Sequence, residues 1–171
     1  MTNPDRPNII FIVVDDCGYA DLGCTGQTGY RTPALDRLAG EGVRFTQAYA
    51  NAPLCTNTRV AMITGRYQYR LKIGLVEPLR GVNRGEPEMG IPPGFPTLPS
   101  LLRTAGYRTA LIGKWHLGFL PDYSPLKSGY DDSLASWAAS PVITRIRARV
   151  ANLTCGKANC RSNGRVMSRI C

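Results

Sequence analysis

The sequence predicts an α/β protein built on a largely parallel sheet flanked by helices. Three observations carry that reading. Asn8 to Asp16, NIIFIVVDD, is a near-continuous β-branched run, the pattern of a strand buried on both faces of a sheet. Two further strand-like stretches, VRFTQAYA and RTALIGKWH, are set apart by helix-like segments with glycine stops. The order β-α-β-α-α-β then favours parallel pairing, because each crossover needs room for a helix.

The elements follow in order. The glycine-rich GYADLGCTGQTGY reads as a loop after the first strand. Thr32 stands as the N-cap of TPALDRLAGEG, with Pro33 at the first helical position and Gly40 or Gly42 closing it. Cys55 to Thr64 reads as a helix ending at Gly65. Tyr67 to Pro96, dense in Gly and Pro with little periodicity, reads as a long surface loop. TLPSLLRTAGY is another glycine-stopped helix, and the strand RTALIGKWH follows it. In such folds ligands collect beyond the carboxyl ends of the strands. Asp15–Asp16 and Lys114–His116 both fall there.

At 171 residues and 43% hydrophobic content, the chain can bury one sizeable core. No apolar window is long enough to span a bilayer. The N-terminus carries no basic region and no small-residue cleavage site, so the chain as written is expected in the cytoplasm. A periplasmic or secreted location stays open for the parent protein.

The net charge of +9 is unevenly spread. Residues 1–132 hold 14 Lys/Arg against 12 Asp/Glu, whereas residues 133–171 hold 7 Lys/Arg and no acid. Basicity therefore belongs to a tail and not to a binding face, which argues against a nucleic-acid partner. Cysteines 17, 24 and 55 lie in the body, and 155, 160 and 171 in the tail. None has C-x-x-C spacing, and neither a zinc site nor a disulfide framework is expected.

Three groups of residues could carry chemistry. Asp15 and Asp16 at a strand end offer hard oxygens suited to calcium or magnesium, although an isolated pair more often caps a turn. Cys55 at a helix start would meet exposed N–H groups that favour a thiolate or a bound oxyanion, against the bland alternative of a core cysteine. Arg59, one turn on, shares its helix face. Lys114 and His116, the latter the only histidine, are spaced i, i+2 and so would share one strand face. Such a pair can neutralise an anion and move a proton.

PNIIFIVVDDCGYADLG, CTNTRVAMITGRYQYRL, TLPSLLRTAGY, GKWHLG and PLKSGYDD stand in this order. Together they closely resemble the N-terminal part of the type I sulfatases over residues 7–132. That resemblance implies an alkaline-phosphatase-like α/β fold, incomplete in this chain, and a sulfuric ester hydrolase acting on a small-molecule or carbohydrate sulfate ester. It further implies that a formylglycine-generating enzyme is a partner, oxidising Cys55 to formylglycine. The motif here runs Cys55, Thr56, Asn57, Thr58, Arg59, with Asn57 where the family usually has proline or alanine.

The hydrated aldehyde would attack sulfur and release the alcohol, and its second hydroxyl would then expel sulfate. A calcium or magnesium ion on Asp15 and Asp16, with the modified Cys55 as a third ligand, would polarise the sulfate. By the same resemblance Arg59 steadies the hydrate, Lys114 binds sulfate and His116 transfers a proton. A phosphodiesterase or phosphonate hydrolase of the same superfamily is the runner-up, and a non-catalytic truncated relative the third reading.

The tail from Ser133 does not resemble the family. A one-base slip after Asp132 is the expected cause: restored, the codons can read DFLGILG and run on as an acidic, family-like passage. With about half a metal shell, the chain as written is expected to show negligible activity. Sequencing the coding DNA across codons 130–136 should reveal the missing base; an unbroken frame as written would refute the slip.

Overall fold

The computed structural model of the chain describes residues 6–76, 78–136 and 143–147. Three helices and one sheet stand among them: α1 (Pro33–Glu41), α2 (Cys55–Thr64), α3 (Leu98–Thr104), and strands β1 (Ala110–Lys114), β2 (Asp132–Ser136) and β3 (Ile143–Arg147). Strand β1 pairs with β2 in parallel, Ala110 opposite Asp132 and Lys114 opposite Ser136. Strand β2 pairs with β3 antiparallel, Asp132 opposite Arg147. The expected tail thus meets the sheet at β2, and residues 137–142 and 148–171 lie outside the described residues.

Local chemistry explains the helix ends. Thr32 occupies the N-cap position of α1, but its hydroxyl makes no cap bond. It accepts instead from the Gly23 N–H and donates to Asp36, pinning the glycine-rich loop to the helix. Helix α2 closes at Gly65, whose backbone (φ 63°) is left-handed, as a glycine tolerates best. In α3 the Thr97 hydroxyl accepts from the Ser100 N–H while the Ser100 hydroxyl accepts from the Thr97 N–H. Both donors are satisfied by this reciprocal pair.

The core lies between α2 and the loop after it. Val60 and Ile63 of α2 pack with Ile73, Leu79, Met89, Ile91, Trp115 and Leu117. The long segment from Tyr67 is therefore more than a surface loop: four of these residues sit in it, interrupted by short 3₁₀ turns at Gln68–Arg70, Lys72–Leu75 and Gly81–Asn83. Isoleucine and leucine at irregular spacing bury without a period for the eye to catch.

Two expected strands are absent. Asn8 to Asp16 forms no strand, and Ile9 to Val14 are exposed, Ile10 at 84%. The stretch VRFTQAYA is likewise irregular, with Val43 and Phe45 exposed. A β-branched run becomes a strand only where a neighbour supplies its ladder. Among the described residues the N-terminal run has no ladder partner. It faces β1 across a cavity of about 570 Å³ lined by Ile9, Phe11, Val13, Met62, Leu102 and Leu111. Among the described residues no helix is long and apolar enough to cross a membrane.

Tyr130 stands edge-on to Trp115 at 6.1 Å between ring centroids. Burial raises its phenol above the ordinary value of 10.0. The unfolded chain then loses the proton first, so Tyr130 stabilises the fold fully below pH 10, and that contribution is lost as pH rises through its folded value. Unfolding followed by urea should show weaker stability above pH 10 than at pH 9, and Tyr130→Phe should blunt the difference. An equal slope in the variant would remove Tyr130 as its source.

Candidate active site

Helix α2 begins directly after the extended Leu54 (φ −108°, ψ 145°), which places Cys55 in its first turn. Val60 and Ile63 anchor the helix in the core, so the polar positions Cys55 and Arg59 are turned to the end of β1. Strand β1 ends at Lys114, although the Trp115 N–H still donates to the Ser136 carbonyl at 2.9 Å. The chain then turns sharply, because His116 adopts a left-handed backbone, φ 58°. The strand-spacing argument for Lys114 and His116 is thereby corrected: His116 lies beyond the strand, and the turn at its own backbone sets its position.

Two clusters result. In the first, Asp15 pairs with Lys114 Nζ at 2.6 Å and with Arg59 Nη2 at 3.4 Å. Arg59 Nη1 also donates to the Lys114 carbonyl at 2.8 Å. The Lys114 ammonium beside Asp15 holds its carboxyl below the usual value, and burial opposes this only in part. Asp16, exposed and left-handed (φ 55°), does not join the cluster.

In the second, Cys55 Sγ lies 3.1 Å from His116 Nδ1, and His116 Nε2 lies 2.8 Å from the Leu79 carbonyl. His116 is buried, and burial pushes its pKa below 6.5; Lys114 and Arg59 add to that, while the Leu79 carbonyl and Asp15 oppose it. The imidazole is therefore held neutral, able to take a proton from a neighbour.

Asp15 and Asp16 carry the hard oxygens that suit calcium or magnesium. Their chemistry fits such a cation in part, since among the described residues no three His, Cys, Asp or Glu side chains gather to hold one. Sequence reasoning named Thr56 and Asn57 only as members of the Cys55 motif, with no partner for either, and missed Leu79. The Thr56 hydroxyl accepts from the Leu79 N–H at 3.1 Å, and the Asn57 amide donates to the Gly74 carbonyl at 2.7 Å. A backbone carbonyl leaves no mark in a sequence, so the Leu79 contact had no signal to find.

The model of the family described as Sulfatase matches residues 7–155. N-acetylgalactosamine-6-sulfatase of Mus musculus is 40% identical over 141 residues, 81% of this chain and 26% of its own length. Among solved structures, one from a study of the metabolism of multiple glycosaminoglycans by Bacteroides thetaiotaomicron superposes with a TM-score of 0.71 at 34% identity. It covers 82% of this chain and 31% of that one. A second, in complex with its substrate D-glucosamine-2-N,6-O-disulfate, gives 0.59 at 32% identity, covering 75% and 23%. The chain spans about a quarter of the length of the curated relatives it matches.

Asp15→Asn leaves Lys114 and Arg59 facing each other without their counter-charge. Because the carboxylate is 40% exposed, the cost is expected at about 1–2 kcal/mol, above an exposed pair and below a buried one. Urea denaturation measures it, and a change within error would mean that solvent already carries the charge.

Proposed function

The chain belongs to the sulfatase family, and on that premise we propose that its parent protein hydrolyses sulfuric esters, with a carbohydrate sulfate as substrate class. The observation that carries this reading is the meeting of Cys55 and His116 at 3.1 Å. It stands on the same β1 end as the Lys114, Arg59 and Asp15 cluster. The names of the mouse relative and of the two structures favour a sugar substrate, since each speaks of an aminosugar or a glycosaminoglycan.

The residues divide the work. Cys55, oxidised by a formylglycine-generating enzyme, supplies a hydrated aldehyde as the nucleophile toward sulfur. His116, neutral and buried, exchanges a proton at Nδ1 with the group on residue 55. Lys114 and Arg59 offer fixed positive charge to sulfate oxygens, where charge grows as the ester bond breaks. Asp15 and Asp16 would hold part of a calcium or magnesium shell, and that ion would supply Lewis-acid polarisation of the sulfate. Asp15 holds the Lys114 ammonium at 2.6 Å. The Asn57 amide donates to the Gly74 carbonyl at 2.7 Å, tying the start of α2 to the segment after it.

The test compares the 171-residue chain with the coding region read through in the restored frame, both co-expressed with a formylglycine-generating enzyme. The restored product is expected to carry an aldehyde at Cys55 by peptide mass spectrometry. It should hydrolyse an aryl sulfate in preference to the matched phosphate, while the 171-residue chain shows negligible turnover. Cys55→Ala should abolish turnover, and Lys114→Ala should lower kcat by about 100-fold or more. Preference for the phosphate ester, or turnover that survives Cys55→Ala, would overturn the assignment.

A further inference from the structure

A carbonyl oxygen only accepts hydrogen bonds. His116 Nε2, 2.8 Å from the Leu79 carbonyl, must therefore carry the ring proton. In the neutral ring the lone pair is then left on Nδ1, the atom that faces Cys55 Sγ at 3.1 Å. The direction of proton flow at residue 55 is set by the Leu79 carbonyl, which has no charge of its own.

What holds Leu79 in place is a neighbour of Cys55. The Leu79 N–H donates to Thr56 Oγ1 at 3.1 Å, so the bonds close a ring: Cys55, Thr56, Leu79, His116 and back to Cys55. Thr56 is fully buried and His116 is 3% exposed, so both lie out of reach of bulk water. The other end of the same loop is held separately, by the Asn57 amide on the Gly74 carbonyl.

We propose that Thr56 is a positioning residue: its hydroxyl registers Leu79 so that the Leu79 carbonyl locks His116 in the Nε2–H tautomer, with the Nδ1 lone pair aimed at residue 55. Its value to catalysis rests on the sulfatase reading. In the opposite tautomer Nδ1 would present a hydrogen to residue 55 and could not accept one, and a histidine whose second nitrogen has lost its partner no longer chooses. Threonine and serine supply the hydroxyl at this position, and valine matches threonine in shape without it.

His116 is the only histidine, so nitrogen-15 histidine labelling gives one pair of ring signals. The chain is produced without a formylglycine-generating enzyme, keeping residue 55 a cysteine, and is observed at pH 8, above the ordinary imidazole range. The expected wild-type spectrum shows Nε2 as the protonated, pyrrole-type nitrogen and Nδ1 as the pyridine-type one. Thr56→Ser should keep that pattern, whereas in Thr56→Val both nitrogens should move toward the mean of the two types as tautomers interconvert. A wild-type Nδ1–H tautomer would overturn the lock. A folded Thr56→Val with the wild-type pattern would overturn the role of the hydroxyl. So would a Thr56→Val that loses its amide dispersion while Thr56→Ser keeps it, since the hydroxyl would then be serving the fold alone. The spectrum needs no sulfate ester, so the proposed activity and this lock can fail independently.

Discussion

The Arg59 guanidinium is the joint on which the site depends. One end of its fork donates to the Lys114 carbonyl where β1 stops, and the other meets Asp15 of the N-terminal run. These partners lie 55 and 44 residues away in the chain. A lysine could not replace it, because a compact ammonium has no planar fork with which to serve a carbonyl and a carboxylate together. The side chain is nearly buried, and its Nε is among the buried atoms without a partner. That is a cost the arrangement carries in exchange for a fixed direction.

Backbone strain is concentrated at the same place. Among the described residues, three that are not glycine have positive φ: Asp16, Glu88 and His116. Two of them flank the site, one at the end of the N-terminal run and one past the end of β1. Side chains larger than glycine tolerate this region poorly, and it persists only where surrounding contacts enforce it. At His116 those contacts are visible: the buried Trp115 before it, Leu117 after it, and the two bonds of its own ring.

The helices were legible in the sequence because their signals are local. Pro33 and the stops at Gly42, Gly65 and Gly106 all act within one turn, and α1, α2 and α3 fall where those residues put them. The strands were legible only in part. RTALIGKWH became β1 because β2 lies beside it, whereas the stronger pattern at Ile9 to Val14 found no partner among the described residues. Pairing is a property of two segments, and a single run carries half the information. At the site, Cys55, Arg59, Lys114, His116 and Asp15 were singled out by type and spacing, and the structure brings them together in two clusters. Asp16 stays apart. The tie between Thr56 and Leu79 was invisible because its partner lies 23 residues on and acts through its backbone.

The N-terminal run also shapes how the molecule behaves in company. Ile9 to Val14 is six consecutive β-branched or aromatic residues, without charge or proline, lying open to solvent. Such a hexamer is the material of intermolecular steric zippers. Its natural gatekeepers are the charges on either side, Arg6 before it and Asp15 and Asp16 after it. Asp15 is drawn toward Lys114 and Arg59, so one guard is already committed elsewhere. The segment that delivers a carboxylate to the site is thus also the segment by which two molecules would stick. For this chain colloidal lifetime, set by concentration and salt, becomes as limiting as the stability of the fold.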